Sequence, residues 1–195
     1  MVKTLEEKVE DNNPFHGEEG VFILFDTCAF INLYYRYGLD FLSEETIGNG
    51  NCCVITSAVK RELEHQYETR ACLSDDQCLI YNIPLRSKKV PFQLMTAIWQ
   101  KLGEGKLLEE DVYVSEEKYL SVQEAGRLGS PKRNYRTSPA DVSLVCLAEH
   151  LQQEKTLIVS NDSDIPNTLS AIHLKQVYHI TETEFGSQYR YKKAA

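Results

Sequence analysis

Four acidic residues of this chain, Asp26, Glu62, Asp141 and Asp162, each stand where an apolar run gives way to a helix. Asp26 follows Val21-Phe22-Ile23-Leu24-Phe25, and Glu62 lies just past Cys52-Cys53-Val54-Ile55 and the helix start behind it. Asp141 opens a helix within Ser138-Pro139-Ala140-Asp141-Val142, and Asp162 ends the run Thr156-Leu157-Ile158-Val159-Ser160. If those runs are parallel strands of one sheet, all four carboxylates reach one edge. Such a cluster repels itself unless a divalent cation neutralises it, so the chemistry it suits is metal-dependent.

Alternating strands and helices are what must position these acids, and they predict an α/β domain with a mostly parallel sheet. The apolar run from Val21 to Phe25 has the character of a central strand buried on both faces. Behind it, Phe30, Ile31, Leu33, Tyr34 and Tyr37 recur at helical spacing, and Gly38 ends the helix. A second strand is expected over Cys52 to Ile55, followed by a helix capped by Ser57 or Thr56 with Val59, Leu63 and Tyr67 on one face. Further helices are expected from Pro91 to Leu102, with Trp99 in the core, from Ser115 to Leu128, and from Pro139 to Gln152. Residues 111–114 read as a short strand or an extended link. A strand near Leu157 to Val159, a short helix from Pro166 to Ile172, a strand near Val177 to Ile180 and a capped turn at Thr181-Glu182-Thr183-Glu184 complete the pattern.

The out-and-back path explains why two of the acids should meet. A helix from Pro139 of about 14 residues carries the chain roughly 20 Å from Asp141, and the strand from Thr156 brings it back to Asp162. In open α/β sheets, ligands bind in the crevice at the carboxyl ends of the strands, where helix N-termini favour phosphate groups. Each acid also has a structural reading: Asp26 as a helix cap, Asp141 as the third position of a capping box begun by Ser138, Asp162 as a turn residue, and Glu62 as a surface residue equivalent to Glu64. Glu64 is accordingly the reserve for the Glu62 position.

Composition sets the frame. The 195 residues are 42% hydrophobic and 26% charged, ordinary for one globular domain. We divide the chain into a leader (1–19), one domain (20–187) with an inserted or extended helical region at about 72–136, and a basic tail (188–195). No apolar stretch reaches the roughly 20 residues of a membrane span, and the N-terminus lacks a signal-peptide pattern; a cytoplasmic protein is expected. The six cysteines form no Cys-x-x-Cys pair, which disfavours zinc. Cys28, Cys52, Cys53 and Cys146 read as small buried hydrophobes. The net charge of −8 argues against gripping nucleic acid by charge alone. Lys132, Arg133 and Arg136 nevertheless form a basic loop able to track a phosphate backbone, and the five histidines show no ligand spacing.

The segments Phe22-Ile23-Leu24-Phe25-Asp26-Thr27, Ile55-Thr56-Ser57-Ala58-Val59-Lys60-Arg61-Glu62, Ser138-Pro139-Ala140-Asp141 and Leu157-Ile158-Val159-Ser160-Asn161-Asp162, in this order, resemble the PIN domain family. The resemblance spans roughly residues 21–180 and implies a three-layer αβα fold and a metal-dependent endoribonuclease. It implies that Asp26, Glu62, Asp141 and Asp162 hold one or two Mg²⁺ or Mn²⁺ ions, with Asp164 sharing or replacing the role of Asp162. Thr27, Ser160 and Asn161 would support them, and water activated at the metal would hydrolyse RNA. An inhibitory protein partner and a homo-oligomer are compatible with the family, whose members include toxins of toxin–antitoxin pairs and RNA-processing nucleases. The segment from Cys72 to Arg136 is longer than compact members need. The rival reading is a silent PIN-like scaffold that binds RNA or a protein. A haloacid-dehalogenase phosphatase would need a second Asp where Cys28 stands, and a receiver domain an acid pair that Thr27 breaks. A calcium loop starting at Asp162 would need a Gly where Asn167 stands.

Overall fold

The computed structural model describes residues 15, 17–38, 40–43, 48, 50–71, 92–129, 138–162, 164–174 and 177–190. Five strands, β1 (Phe22–Phe25), β2 (Cys52–Thr56), β3 (Leu108–Glu110), β4 (Thr156–Val159) and β5 (Val177–Ile180), form one sheet in the order β3-β2-β1-β4-β5. Every pairing is parallel. Seven helices accompany them among the described residues: α1 (Thr27–Tyr37), α2 (Ser57–Ala71), α3 (Phe92–Gly103), α4 (Glu116–Gly129), α5 (Pro139–His150), α6 (Asp164–Ala171) and α7 (Glu182–Arg190). A 3-10 turn, Asp40–Leu42, follows α1. The capped turn at Thr181 proves to be the start of α7, its capping box closed by Thr181 and Glu184.

The order follows from the chain. β1 is central, and the first crossovers step from it to β2 and β3; the chain then returns past β1 to lay down β4 and β5. Right-handed crossovers in opposite directions put their helices on opposite faces. Accordingly, α1 packs with α2 and α7, while α5 packs with α4 and α6. The result is an αβα sandwich, as the alternating pattern predicts. β1 and the Leu157–Val159 part of β4 are apolar because both faces are covered, and Phe25, Phe30, Phe41 and Phe185 join the sheet to α1 and α7 by edge-to-face contacts of 5.0–5.7 Å. No helix among the described residues is long and apolar enough to cross a membrane.

Three expectations are corrected. β3 lies at Leu108–Glu110, ahead of the predicted 111–114. Trp99 is 44% exposed at the margin of α3, with its indole N–H donating to Glu64. Cys28 is exposed and Cys52 half-buried, whereas Cys53 and Cys146 are buried thiols. All four are unbridged.

The contact between α1 and α7 depends on one missing side chain. A methyl group on Gly186 would overlap the Tyr37 hydroxyl and ring carbons. Gly186→Ala is expected to destabilise the protein by about 1–3 kcal/mol despite the better helix propensity of alanine. Chemical denaturation checks this, and trimming Tyr37 to leucine in the same chain should recover part of the loss.

Candidate active site

The sheet reverses its direction of growth between β1 and β4, which opens a crevice at their carboxyl ends. Register decides what fills it. Phe25 pairs with Val159, so Asp26 and Ser160, the next residues on each strand, are neighbours across the gap. The Asp26 N–H donates to Val159 O at 3.1 Å, and the Ser160 hydroxyl donates to Asp26 Oδ2 at 3.1 Å. The same hydroxyl oxygen accepts the Asp162 N–H at 2.9 Å, so one buried serine fixes both acids. Ser160 is itself anchored by β5: its carbonyl lies 2.9 Å from His179 Nε2, and that contact requires the proton on Nε2. Burial holds the His179 pKa below its ordinary value.

Asp26 occupies the N-cap position of α1, but its side chain makes no capping bond. It is nearly sealed from solvent, at 4% exposure. Burial first, then the charge of Asp141, raises its pKa to about 7; the Ser160 bond opposes the rise and the Glu62 charge adds to it. Asp141 does both of the things its sequence suggests. Its Oδ2 accepts the Ser138 N–H at 2.9 Å and its own N–H donates to Ser138 Oγ at 3.1 Å, closing a capping box. Burial raises its pKa against those stabilising bonds, and Asp162 and Glu62 push in the same direction.

Glu62 is brought in by the second turn of α2. Thr27 Oγ1 donates to Glu62 Oε2 at 2.9 Å, which ties α2 to the residue after Asp26. Two residues further on, the helix has turned by about 200°, and Glu64 faces Trp99 instead. The structure thus separates the two glutamates: Glu62 belongs to the crevice. Asp162 Oδ1 accepts the Asp164 N–H at 2.9 Å as an Asx-turn leading into α6. Asp164 is buried in the first helical turn; the acids whose charges act at Asp26, Asp141 and Cys28 are Glu62, Asp141, Asp26 and Asp162. Asn161 turns its amide oxygen to the Glu182 N–H at 3.2 Å and so caps α7.

Two features had no signal in the residue spacing. Thr56 and Ser143 hydroxyls meet at 2.6 Å in the interior. Ser143 donates to the Ala140 carbonyl at 2.7 Å, so the Thr56 hydroxyl must supply the proton between them, while Thr56 Oγ1 accepts the Val59 N–H. This chain of bonds locks the start of α2 to the start of α5, and with them Glu62 to Asp141. The second is Cys28, two residues on from Asp26 in the first turn of α1. Partial burial of its sulfur, followed by the charges of Asp26, Glu62, Asp141 and Asp162, pushes the thiol up to about 12. In the metal-free protein it is therefore a neutral thiol at the rim.

No protein-family model and no curated protein matches this chain. The site is read on its own chemistry. Among the described residues, no three His, Cys, Asp or Glu side chains already form a group that would hold a metal ion. The donors nevertheless fit a hard divalent cation: four carboxylates at one edge, two of them buried enough to resist ionisation on their own, beside the N-termini of α1, α2, α5 and α6. A buried acid cluster held against its own repulsion lowers its energy by acquiring positive charge. The basic residues Lys132, Arg133 and Arg136 lie outside the described residues.

Proposed function

We propose that this protein is a PIN-like, metal-dependent endoribonuclease, hydrolysing RNA phosphodiester bonds at the crevice between β1 and β4. The observation that supports the reading is the convergence of Asp26, Glu62, Asp141 and Asp162 near the switch point of the sheet, where Asp141 and Glu62 act on Asp26 and Asp162 and Glu62 act on Asp141. Capping alone accounts for the local bonds of Asp141 and Asp162, but it gives no reason for Asp26 to be buried against Asp141 without capping anything.

Mg²⁺ or Mn²⁺ bound there would neutralise the acids, lower the pKa of a water and stabilise charge on the phosphoryl oxygens. Mg²⁺ retains several waters and needs only one or two direct carboxylates, which suits acids that are spaced apart. Asp26 and Asp141 would contribute the inner ligands, with Glu62 and Asp162 completing the ring. Thr27 and Ser160 each hold one oxygen of an acid, Glu62 and Asp26 respectively, and would fix the orientation of these two carboxylates for a bound ion. The helix N-termini orient the scissile phosphate, and the reaction adds water across the P–O bond, with a proton passing to the leaving oxygen.

The test is incubation of single-stranded RNA with the purified protein in Mg²⁺, Mn²⁺ or chelator. Cleavage is expected with either ion and should vanish in chelator, returning when the ion is restored. Cleavage undiminished in chelator would overturn the reading. Tight RNA binding with no cleavage in any divalent ion would favour the silent scaffold.

A further inference from the structure

A cavity of about 450 Å³ opens directly beside Glu62. Its lining is Ala58, Arg61 and Glu62 from α2, facing Ser138, Pro139 and Ala140 at the start of α5. That volume falls within the roughly 300–1,000 Å³ of small-molecule sites. The Thr56–Ser143 bond holds its two walls at fixed separation, so the cavity is built into the fold. We propose that this cavity seats one base of a single-stranded RNA, next to the phosphate at the carboxylates, with Arg61 holding the adjoining phosphate. This rests on the nuclease reading, whose site shares Glu62 with the cavity.

The chemistry favours this occupant for three reasons. Ala58, Pro139 and Ala140 present short apolar side chains, a surface suited to the flat face of a base and too shallow to grip a long side chain. Arg61 is the cation of the lining, and its Nε is tied back to the Ser57 carbonyl at 3.2 Å, which keeps the guanidinium over the first turn of α2. Its neighbour Lys60 is committed elsewhere, to Glu109 at 2.7 Å, and Glu109 is also bound by Ser57. Thus the one arginine meets the phosphate in a protein whose net charge of −8 otherwise repels RNA. A base in the cavity would also set which linkage reaches Asp26 and Asp141, so the cavity is a specificity determinant for the cut.

The test uses the full chain and a labelled single-stranded oligoribonucleotide, with affinity read by fluorescence anisotropy in Ca²⁺. Ala58→Leu fills the cavity from a helical position that tolerates leucine, and Arg61→Ala removes an exposed cation without opening the core. Each is expected to weaken binding roughly tenfold, the scale of one lost base stack or one charge-assisted phosphate contact. An oligonucleotide with one abasic position, scanned along its length, should lose a similar factor at one site. Ala58→Leu should then add nothing further. Wild-type affinity in Ala58→Leu or in Arg61→Ala, or a flat abasic scan, overturns the proposal. A protein that shows the expected binding but cleaves in no divalent ion refutes only the nuclease reading. One that cleaves normally with Ala58→Leu unaffected refutes only the base pocket, and preferential displacement of RNA by a peptide would assign the cavity to a protein partner.

Discussion

Asp26→Asn is expected to reduce metal-dependent RNA cleavage by well over 100-fold while leaving the fold intact. Asparagine keeps the shape of the side chain and can still accept the Ser160 hydroxyl bond, so the structural cost is small. What it removes is the negative charge at the centre of the cluster, beside Asp141. Partners that act only through a metal ligand are typically worth 10–100-fold in affinity or activity. Ser160→Ala, which releases both Asp26 and Asp162 from one hydroxyl, should fall in that lower range. Asp141→Asn should match Asp26→Asn in activity, since its carboxylate is the largest charge influence on Asp26. Glu62→Gln should be costly as well, and Glu64→Gln should stay within about twofold, because Glu64 is engaged with Trp99. Steady-state cleavage of one RNA by the five proteins checks the series. Equal loss in Glu62→Gln and Glu64→Gln, or normal cleavage by Asp26→Asn, would refute the assignment.

How far the sequence discloses this arrangement depends on how local each signal is. Asp26 and Asp162 are legible because each follows an apolar run suited to a central strand; parallel pairing sets Ser160 beside Asp26, and Ser160 in turn holds Asp162. Asp141 is legible from the proline at the start of α5, and its capping box with Ser138 was readable from the Ser138–Asp141 spacing. β3 was misplaced because Leu108-Glu109-Glu110 carries a single apolar residue; its pairing with β2 defines it, and pairing has no local signature. The Thr56–Ser143 bond joins residues 87 positions apart, and the cavity beside Glu62 exists only once that bond closes the two helices together. Cys28 was read as a buried hydrophobe because its neighbours are apolar; helical phase, two residues on from Asp26, turns it to the rim instead. Glu62 against Glu64 was likewise a question of helical phase: the Thr27 hydroxyl bonds Glu62, and the Trp99 indole bonds Glu64.

Those same buried charges predict a large effect on the metal-free protein. In the folded chain the Asp26 pKa is raised from 3.8 to about 7, so between about pH 4 and pH 7 the folded state holds a proton that the unfolded state has lost. Stability from this group is therefore highest below about pH 4 and falls as pH rises, reaching its full penalty above pH 7. Three units at 1.36 kcal/mol each make the penalty on the order of 4 kcal/mol. Asp141, also raised, acts in the same direction. His179 acts oppositely: its lowered pKa means that the unfolded state takes up the proton first, so its contribution grows as pH rises towards neutrality. The wild-type curve alone mixes these signs, but the difference between wild type and Asp26→Asn isolates the aspartate. In chelator, Asp26→Asn is expected to gain on wild type from pH 5 to about pH 7 and then level off, in urea denaturation; about two of the three units fall in that window, on the order of 3 kcal/mol. Adding Mg²⁺ or Mn²⁺ at pH 8 should then raise wild-type stability with ion concentration and raise the variant much less, because the cation replaces the proton that Asp26 would otherwise need. A difference that stays flat across that pH range would mean that Asp26 ionises freely, and the central carboxylate would no longer supply the drive to take up a cation.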